Sequence, residues 1–453
     1  MGLTVIVLAA GQGKRMRSDL PKVLQPLAGR PLLAHVLDKA RALSPDEIRV
    51  VYGHGGEQVR EVFQDADLSW YLQAEQLGTG HAVQQAVAGI PGDHLVMILC
   101  GDVPQITELS LQALRAAADG GMALLTSLLD DPSGYGRVVR NAAGHVAAIV
   151  EHKDANADEL SVNEINTGMM AIPAASLTTC LGKLSNDNAQ GEYYLTDVIA
   201  MAVADGIAVG AVSTQSASEG LGVNDRSDLA RAERAIQLGI AETLMAHGVT
   251  LADPARLDVR GQVSAGRDVF IDVNAVIEGD VQLGNRVRIG PNVVLRNSTI
   301  GDDTEVHANC HVEKSSVGAG CQVGPFARLR PDAQLADGAK VGNFVEIKKS
   351  HIGEGSKVNH LTYIGDAEIG ADVNVGCGTV TCNYDGANKH RTVIGDGVFI
   401  GSGVELVAPV TVEAGAVIGA GSTITKTAPA QQLTVARARQ TTVKNWRRPV
   451  KAR

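Results

Sequence analysis

The stretch VGAGCQVGPFARLRPDAQLADGAKVGNFVEI, residues 317–347, decides the fold of the second half of the chain. An aliphatic residue recurs in it at every sixth position, from Val317 to Ile347. A six-residue period is typical of a parallel β-helix, in which the aliphatic side chain of each short strand points inward. Glycine often follows that residue, as at Gly342, where a positive φ or a close backbone approach would exclude a side chain.

The same period extends well beyond this stretch. Its frame shifts near Ser298 and Ser315, and the polar segment TVTCNYDGANKHR interrupts it between Thr379 and Arg391. A polar excursion from a solenoid is usually a loop on the binding face, so we expect a functional loop there. The other periodic positions are Val281, Val287, Val293, Ile300, Val306, Val312, Ile352, Val358, Ile364, Ile394, Ile400, Leu406, Val412, Ile418 and Ile424.

The first half of the chain alternates apolar runs with a helical pattern. Residues 31–43 repeat their apolar side chains at helical spacing. Three runs indicate strands buried on both faces of a parallel sheet: TVIVLA at 4–9, IRVVY at 48–52 and LVMILC at 95–100. This pattern predicts an α/β doubly wound domain, whose ligands bind at the carboxyl ends of strands. Two loops leave such ends, at Ala10–Arg15 and Gly101–Pro104.

A single helix is predicted between the two halves, because apolar residues recur at helical spacing after Ser227. Asp225 or Ser227 can cap its start, and Gly248 can end it. We therefore divide the chain into a first domain at 1–226, a linker helix at 227–247 and a repeat domain at 248–453.

The composition limits the classes of function. The 453 residues carry a net charge of −10 at pH 7, which argues against general nucleic-acid binding. Positive charge gathers at the C-terminal end, where no Asp or Glu follows Glu413. The six cysteines form no CxxC pair, and the apolar run Leu3–Ala10 is too short to span a membrane. We expect a cytoplasmic protein with reduced thiols that binds neither nucleic acid nor membrane.

The loop after the first strand carries the chemistry of the first half. LAAGQGKRM at 8–16 is followed by LPK at 20–22, and its glycines let backbone amides approach a phosphate chain or a base. Arg15 and Lys22 can neutralise phosphate charge. The spacing fits neither a Walker A loop nor GxGxxG. Asp102 ends a buried strand, where an unpartnered carboxylate would be costly, so it is a candidate Mg²⁺ ligand.

LAAGQGKRM with LPK resembles the signature of the sugar-1-phosphate nucleotidyltransferases. Further matching segments are QAEQLGTGHA at 73–82, GDVP at 101–104, GYGR at 134–137, VEHK at 150–153, NTG at 166–168 and GVN at 222–224. With the hexapeptide half, the chain resembles the bifunctional bacterial UDP-N-acetylglucosamine pyrophosphorylase/glucosamine-1-phosphate N-acetyltransferases over nearly its whole length. That family has a doubly wound nucleotidyltransferase domain followed by a left-handed parallel β-helix.

The resemblance implies two reactions. The second domain would acetylate glucosamine-1-phosphate with acetyl-CoA. The first would then transfer UMP from UTP to N-acetylglucosamine-1-phosphate and release pyrophosphate, which makes a cell-wall and lipopolysaccharide precursor. Similar proteins are trimers whose acetyltransferase sites lie between subunits, so we expect a homotrimer whose other partners are these small molecules.

The resemblance also implies roles for residues of the first domain. Arg15 and Lys22 would bind phosphates and act in catalysis, and Asp102 with Asn224 would bind Mg²⁺. Cys100 and Gly101 would contact the UDP-sugar through their backbone, with Cys100 standing where the family usually has Tyr. The uracil would be held by Leu8, Ala9, Ala10, Gly11, Gln73, Gly78 and Thr79. The sugar and ribose would be held by Gly136, Glu151, Asn166 and Asn224.

Acetyl transfer to an amine requires a base for the ammonium proton and a clamp for the sugar phosphate. His360 is the expected base because imidazole titrates near neutral pH, and Glu346 is expected to orient it. By resemblance, the amino-sugar phosphate would contact Arg330, Lys348, Tyr363 and Asn374. Acetyl-CoA would contact Cys377, Asn383, Tyr384, Ser402, Ala420 and Arg437, and Cys377 replaces the usual Ala.

Two other interpretations stay open from the sequence. One is a sugar-1-phosphate nucleotidyltransferase with a single activity, in which the β-helix serves only oligomerisation or regulation. The other is a scaffold without enzymatic activity. His360 and the acid-free tail argue against the first, and the pairs Asp102/Asn224 and Arg15/Lys22 argue against the second.

Overall fold

The structure is a computed structural model that describes residues 2–53 and 56–451. Its contacts divide the chain into two units, Met1–Ile236 and Gln237–Arg453, and the division falls inside the helix Arg226–Ala246. Asp225 caps that helix, because its carboxylate accepts hydrogen bonds from the amides of Ser227 and Asp228 at 2.8 and 2.9 Å. In the described part of the chain, no helix has the length and apolar character needed to cross a membrane.

The first unit is built on a nine-stranded sheet. Seven strands follow one another across it in the order Val209–Ser213, Met122–Leu128, Glu164–Pro173, Leu95–Cys100, Leu3–Ala9, Glu47–Tyr52 and Leu68–Leu72. All neighbours pair in parallel except Glu164–Pro173, which is antiparallel to both of its neighbours. The hairpin Arg137–Arg140 and Val146–Val150 attaches to that strand, and a separate ribbon joins Pro26–Leu27 to Arg30–Pro31.

Helices cover both faces of this sheet, so successive side chains along each strand point alternately into two apolar cores. Val5 and Val7 pack into one core and Ile6 into the other, and all three are fully buried. The α-helices before residue 226 are Leu32–Ala42, Gly56–Val62, Thr79–Val87, Glu108–Ala117, Ala157–Leu160, Ala174–Leu181 and Asp197–Ala204. Short 3₁₀ turns occupy Lys14–Met16, Lys22–Leu24 and Ala217–Gly220. The predicted doubly wound domain is confirmed.

The second unit is a left-handed parallel β-helix, as predicted. After the 3₁₀ turn Pro254–Arg256, most successive coils are 17 or 18 residues long and stack in register, and the coil that contains the polar loop is 25 residues long, from Asn374 to its partner Phe399. One sheet contains Thr250–Leu251, Phe270–Ile271, Arg288–Ile289, Glu305–Val306, Gln322–Val323, Lys340–Asn343, Lys357–His360, Asn374–Val375, Phe399–Ile400, Val417–Ile418 and Leu433–Thr434.

A second, 17-stranded sheet forms the rest of the β-helix surface. Its strands are Leu257–Ala265, Ala275–Leu283, Val294–Arg296, Thr299–Ile300, His311–Glu313, Ser316–Val317, Arg328–Leu329, Gln334–Leu335, Glu346–Lys348, His351–Ile352, Tyr363–Gly365, Ala367–Ile369, Val380–Cys382, Thr392–Ile394, Glu405–Val407, Val410–Val412 and Thr423–Ile424.

The periodic aliphatic residues form the core of the β-helix. Each of the positions predicted to point inward is buried, from Val281 to Ile424. The glycine that follows serves close approach: a Cβ on Gly342 would lie 2.0 Å from the carbonyl oxygen of Asn359 in the next coil. The frame shifts occur where Asn297 and Lys314 adopt positive φ just before a buried serine.

Candidate active sites

Two adjoining cavities open at the carboxyl ends of the strands in the first unit. The larger, about 600 Å³, contains from the predicted set Leu8, Ala9, Ala10, Gly11, Arg15, Lys22, Gln73, Gly78, Thr79, Cys100, Asp102 and Asn224. The smaller, about 230 Å³, shares some of these and adds Gly136, Glu151 and Asn166. Gly101 lies between the wall residues Cys100 and Asp102, and its amide donates to the carbonyl of Leu8 at 2.9 Å. The structure therefore brings together all the residues predicted to bind the UDP-sugar in the first unit.

The glycine-rich loop wraps one end of the larger cavity. Gly13 adopts a φ of +59°, and a Cβ there would lie 2.7 Å from Cβ of Lys22, so only glycine fits against the lysine. A Cβ on Gly11 would meet no atom within 4 Å, which leaves its backbone accessible from the cavity. Arg15 is exposed on the turn Lys14–Met16. The loop thus presents backbone amides and an exposed cation to the cavity, as suits a phosphate chain.

The opposite wall is held by Gln73 and by the loop around Gly78. The Gln73 side chain is buried, and its Nε2 donates to the carbonyl of Gly78 at 3.0 Å. Gly78 adopts a φ of +111°, and a Cβ there would lie 2.6 Å from the carbonyl oxygen of Tyr193. Thr79 Oγ1 accepts the amide of Leu195 at 3.1 Å. This fixed polar wall suits the recognition of a base.

Oxygen ligands converge where the two cavities meet. Lys22 Nζ forms an ion pair with Asp102 Oδ2 and lies 3.4 Å from Asn224 Oδ1. The carbonyl of Asp102 accepts the amide of Val223 at 2.8 Å, which ties the two segments together. One carboxylate and one amide oxygen facing a shared cation position are a donor set suited to Mg²⁺, which takes its remaining ligands from phosphates and waters.

Cys100 adjoins this cation position as a partly buried thiol. Burial, with a smaller contribution from the Asp102 carboxylate, raises the pKa of Cys100 to about 12. Its Sγ lies 3.9 Å from the carbonyl oxygen of Thr167. The thiol is therefore protonated at neutral pH and does not compete with Asp102 for a cation.

The smaller cavity has a carboxylate at its base. Burial raises the pKa of Glu151, and the Thr196 hydroxyl opposes this by donating to Glu151 Oε1 at 3.1 Å. Asn166 reaches the cavity beside a register shift in its strand, and its amide donates to the carbonyl of Gly136 at 2.9 Å. Thr196 escaped prediction because it is distant in sequence from Glu151 and carries no motif of its own.

A column of charged side chains runs along the β-helix. In the paired strands Arg260, Glu278, Arg296 and Glu313 alternate in sign. Arg330 and Lys348 follow, each one residue beyond the paired Leu329 and Ile347. The alternation therefore ends in two adjacent cations, of which Arg330 donates to Glu346 Oε1 at 2.8 Å.

A third cation reaches this point from the predicted loop. The ammonium of Lys389, with a smaller contribution from burial, lowers the pKa of Lys348. The loop is a hairpin: Tyr384 bridges to Lys389, and His390 Nε2 lies 2.7 Å from Asp385 Oδ2. Lys389 was not predicted from the sequence, because the conformation of the loop determines which of its side chains contacts Lys348. Three cations in one place make this a candidate anion site, where Glu346 is already paired with Arg330.

Tyr363 and Asn383 border the same region. A Cβ on Gly365 would lie 2.3 Å from Tyr363 Oη and 2.9 Å from Asn383 Nδ2, so the glycine makes room for both side chains. Asn383 Nδ2 donates to Asp366 Oδ2 at 2.5 Å. Tyr384, the next residue, is largely exposed.

His360 lies at the end of the strand Lys357–His360. Its Nδ1 lies 3.0 Å from Oδ1 of Asn343 in the preceding coil. The expectation that Glu346 orients His360 is wrong, because the Glu346 carboxylate is bound to Arg330. The coil register places Asn343 directly beside His360.

The remaining predicted residues form a row on successive coils. Asn374 belongs to the 11-stranded sheet, whereas Lys348 and Tyr363 belong to the 17-stranded sheet. The amide of Gly403 donates to the carbonyl of Cys377 at 2.7 Å, and the amide of Gly421 donates to that of Ser402 at 2.8 Å. Arg437 Nη1 donates to the carbonyl of Ala420 at 2.5 Å. The predicted amino-sugar residues are thus divided between the two sheets, whereas Cys377, Ser402 and Ala420 each follow a strand of the 11-stranded sheet.

Comparison with known proteins agrees with this arrangement. Residues 5–161 match the MobA-like NTP transferase domain, residues 259–338 match the GMPPB C-terminal domain, and residues 391–426 match the bacterial transferase hexapeptide, six repeats. The chain is 58% identical over 452 residues to the Bifunctional protein GlmU of an Azoarcus species, with all of both chains covered. It belongs to the GlmU family. The GlmU of Chromobacterium violaceum is 57% identical over 449 residues, with 99% of both chains covered. That of Pseudomonas entomophila is 56% identical over 452 residues, with 100% of this chain and 99% of the other covered.

Membership of the GlmU family confirms the expected pair of activities, acetyl transfer and uridylyl transfer. The alternative of a nucleotidyltransferase with a single activity is not favoured. An enzyme of this family acts on nucleotide and sugar substrates.

Proposed function

We propose that uridylyl transfer takes place in the two cavities of the first unit, with the uracil in the larger and the sugar in the smaller. The phosphate of N-acetylglucosamine-1-phosphate attacks the α-phosphate of UTP, and pyrophosphate leaves. No covalent nucleophile is needed, so the residues act by positioning and by neutralising charge. Arg15 and Lys22 bind the phosphates, and Glu151 and Asn166 bind sugar hydroxyls.

The convergence of Lys22, Asp102 and Asn224 carries this proposal. Asp102 and Asn224 would hold Mg²⁺, which neutralises charge on the phosphates when it is bound. Asp102→Ala should abolish Mg²⁺-dependent release of pyrophosphate and leave acetyl transfer intact. Asp119→Ala, at an exposed position after the helix Glu108–Ala117, is the matched control. Wild-type uridylyl transfer by Asp102→Ala would contradict the assignment of the metal ligand.

Acetyl transfer is proposed for the β-helix, at the column where Arg330 and Lys348 stand as adjacent cations. With Lys389 they bind the phosphate of glucosamine-1-phosphate, and Tyr363 and Asn374 contact the sugar. His360 takes the proton of the amine as its nitrogen attacks the thioester carbonyl of acetyl-CoA, and CoA leaves as the thiol. Cys377, Asn383, Tyr384, Ser402, Ala420 and Arg437 bind acetyl-CoA.

A homotrimer would complete these sites. Within one chain the proposed amino-sugar residues are divided between the two sheets, with Asn374 on one and Lys348 and Tyr363 on the other, so residues of an adjacent copy would complete each site. Phe326, Phe344 and Leu361 support such contacts: they project at one corner of successive coils, about half exposed, with φ of +56°, +56° and +46°. Bulky residues at positive φ are unfavourable without compensation, which burial against another copy would provide.

The trimer can be tested at this corner. Phe344→Asn keeps a residue that tolerates positive φ but removes the apolar side chain. Light scattering should give a three-chain mass for the wild type and a smaller mass for the variant at micromolar concentration. A monomeric wild type would contradict the assembly, and a fully trimeric variant would contradict the role of this corner.

The functional boundaries proposed are 1–226 for uridylyl transfer, 227–247 for the linker helix and 248–453 for acetyl transfer. We place the protein in the cytoplasm. All six cysteines are free thiols, which supports a reducing compartment.

A further inference from the structure

A side chain beside His360 determines which of its ring nitrogens can act. Asn343 and His360 are paired neighbours on adjacent coils, and Asn343 Oδ1 lies 3.0 Å from His360 Nδ1. The backbone fixes this contact, because the amide of Leu361 donates to the carbonyl of Asn343 at 3.1 Å. His360 itself is exposed, so its ring would rotate readily without this partner.

The contact favours one tautomer. The amide oxygen of Asn343 can only accept, so a neutral imidazole that hydrogen-bonds to it has its proton on Nδ1 and its lone pair on Nε2.

We propose that Asn343 is the positioning residue for acetyl transfer: it fixes His360 in the Nδ1–H tautomer and directs Nε2 toward the amine. The inference rests on the proposed role of His360 as base. In the transfer step Nε2 accepts one proton from the amine, the C–N bond forms and the C–S bond of the thioester breaks. The imidazolium then donates that proton from Nε2 to the departing sulfur, so CoA leaves as the thiol.

The other hydrogen bonds to His360 involve its backbone carbonyl and do not orient its ring. On the following coil, Gly378 donates its amide to the carbonyl of His360 at 3.3 Å, and the Thr362 hydroxyl donates to the same carbonyl at 2.6 Å. The charged residues of the two paired strands are Lys340 and Lys357, at the strand ends opposite His360. Cys377 adjoins Gly378 on the following coil and brings a thiol to that coil.

The test compares Asn343→Ala, Asn343→Asp and the control Asn359→Ala by the pH dependence of acetyl transfer. Loss of one orienting hydrogen bond in Asn343→Ala should lower kcat about tenfold and leave KM for glucosamine-1-phosphate near wild type. Asn343→Asp should raise the pKa of His360 and move the acidic limb of kcat upward by about one pH unit or more, with activity recovered above that limb. Asn359→Ala should match the wild type.

Uridylyl transfer and circular dichroism, measured on the same samples, show whether each variant is folded. His360→Ala distinguishes the two claims. If His360→Ala loses acetyl transfer while both Asn343 variants keep the wild-type kcat and acidic limb, the positioning role of Asn343 is overturned. The role of His360 as base is then retained. If His360→Ala acetylates at the wild-type rate, the base is overturned and the inference with it. A shifted acidic limb in Asn343→Asp alone supports the inference even if Asn343→Ala misfolds.

Discussion

Thr196→Val removes one hydroxyl and keeps the shape of the side chain, so it isolates the hydrogen bond to Glu151. Thr196 is buried, and it starts the helix Asp197–Ala204 without using its hydroxyl as a cap. That hydroxyl donates to Glu151 Oε1 at 3.1 Å, and it lowers the pKa that burial has raised. Its removal should therefore raise the pKa of Glu151 further.

The magnitude follows from the hydrogen bond. A hydrogen bond to a charged group contributes about 1.5–3 kcal/mol, and one pKa unit corresponds to about 1.4 kcal/mol. The acidic limb of kcat/KM for N-acetylglucosamine-1-phosphate should move upward by about one to two pH units. The sign follows from the role of Glu151, which must be ionised to accept from sugar hydroxyls. Activity should therefore fall first at low pH and change little at high pH.

Pyrophosphate release measured from pH 5 to pH 9 provides the assay, with Thr196→Ser as the control that restores the hydroxyl. Acetyl transfer by the same samples should be unchanged. An acidic limb in Thr196→Val that superimposes on the wild type would refute this reasoning. An equal shift in Thr196→Ser would also refute it, because the hydroxyl would then be irrelevant.

Three further predictions concern the second unit. Ile347→Ala removes a fully buried side chain and should cost about 2–5 kcal/mol of unfolding free energy, measured by denaturant titration, whereas exposed Glu354→Ala should change it by less than about 0.5 kcal/mol. Lys389→Gln removes a cation from the phosphate site and should raise KM for glucosamine-1-phosphate at pH 7. Because Lys389 lowers the pKa of Lys348, the variant should also move the alkaline rise of that KM to higher pH, and an unmoved rise would contradict the contact. Gly342→Ala places a Cβ against the backbone of the next coil and should lower the thermal midpoint of the second unit, and an unchanged midpoint would show that the coils can separate there.

The β-helix was predicted well, because the six-residue period of aliphatic residues in the sequence directly indicates which side chains point inward. The same logic identified the strands Leu3–Ala9 and Leu95–Cys100, whose apolar runs are buried on both faces. It did not identify Glu164–Pro173 as an antiparallel strand inside the sheet, because strand direction depends on chain crossings that leave no local pattern. The register shift in that strand lies directly after Asn166, which lines the cavity.

The hydrogen-bond and charge partners of the site residues were harder to predict than the identities of the site residues. We expected the Glu346 carboxylate to orient His360. In the stacked coils, however, Glu346 binds Arg330, and Asn343 lies beside His360. Lys389 and Thr196 reach their partners through a hairpin and a helix start that are remote in sequence. Residue type predicts chemistry, whereas register and loop geometry decide which groups meet.

The central claim is that the two reactions belong to two separate units, and His360→Ala tests it most directly. Both reactions are measured on one preparation: CoA release with glucosamine-1-phosphate, and pyrophosphate release with N-acetylglucosamine-1-phosphate. Loss of the base should slow acetyl transfer by about 10²- to 10⁴-fold with little change in KM, while uridylyl transfer stays near wild type. Normal acetyl transfer would contradict the role of His360, and loss of both activities in a folded protein would contradict the independence of the two units.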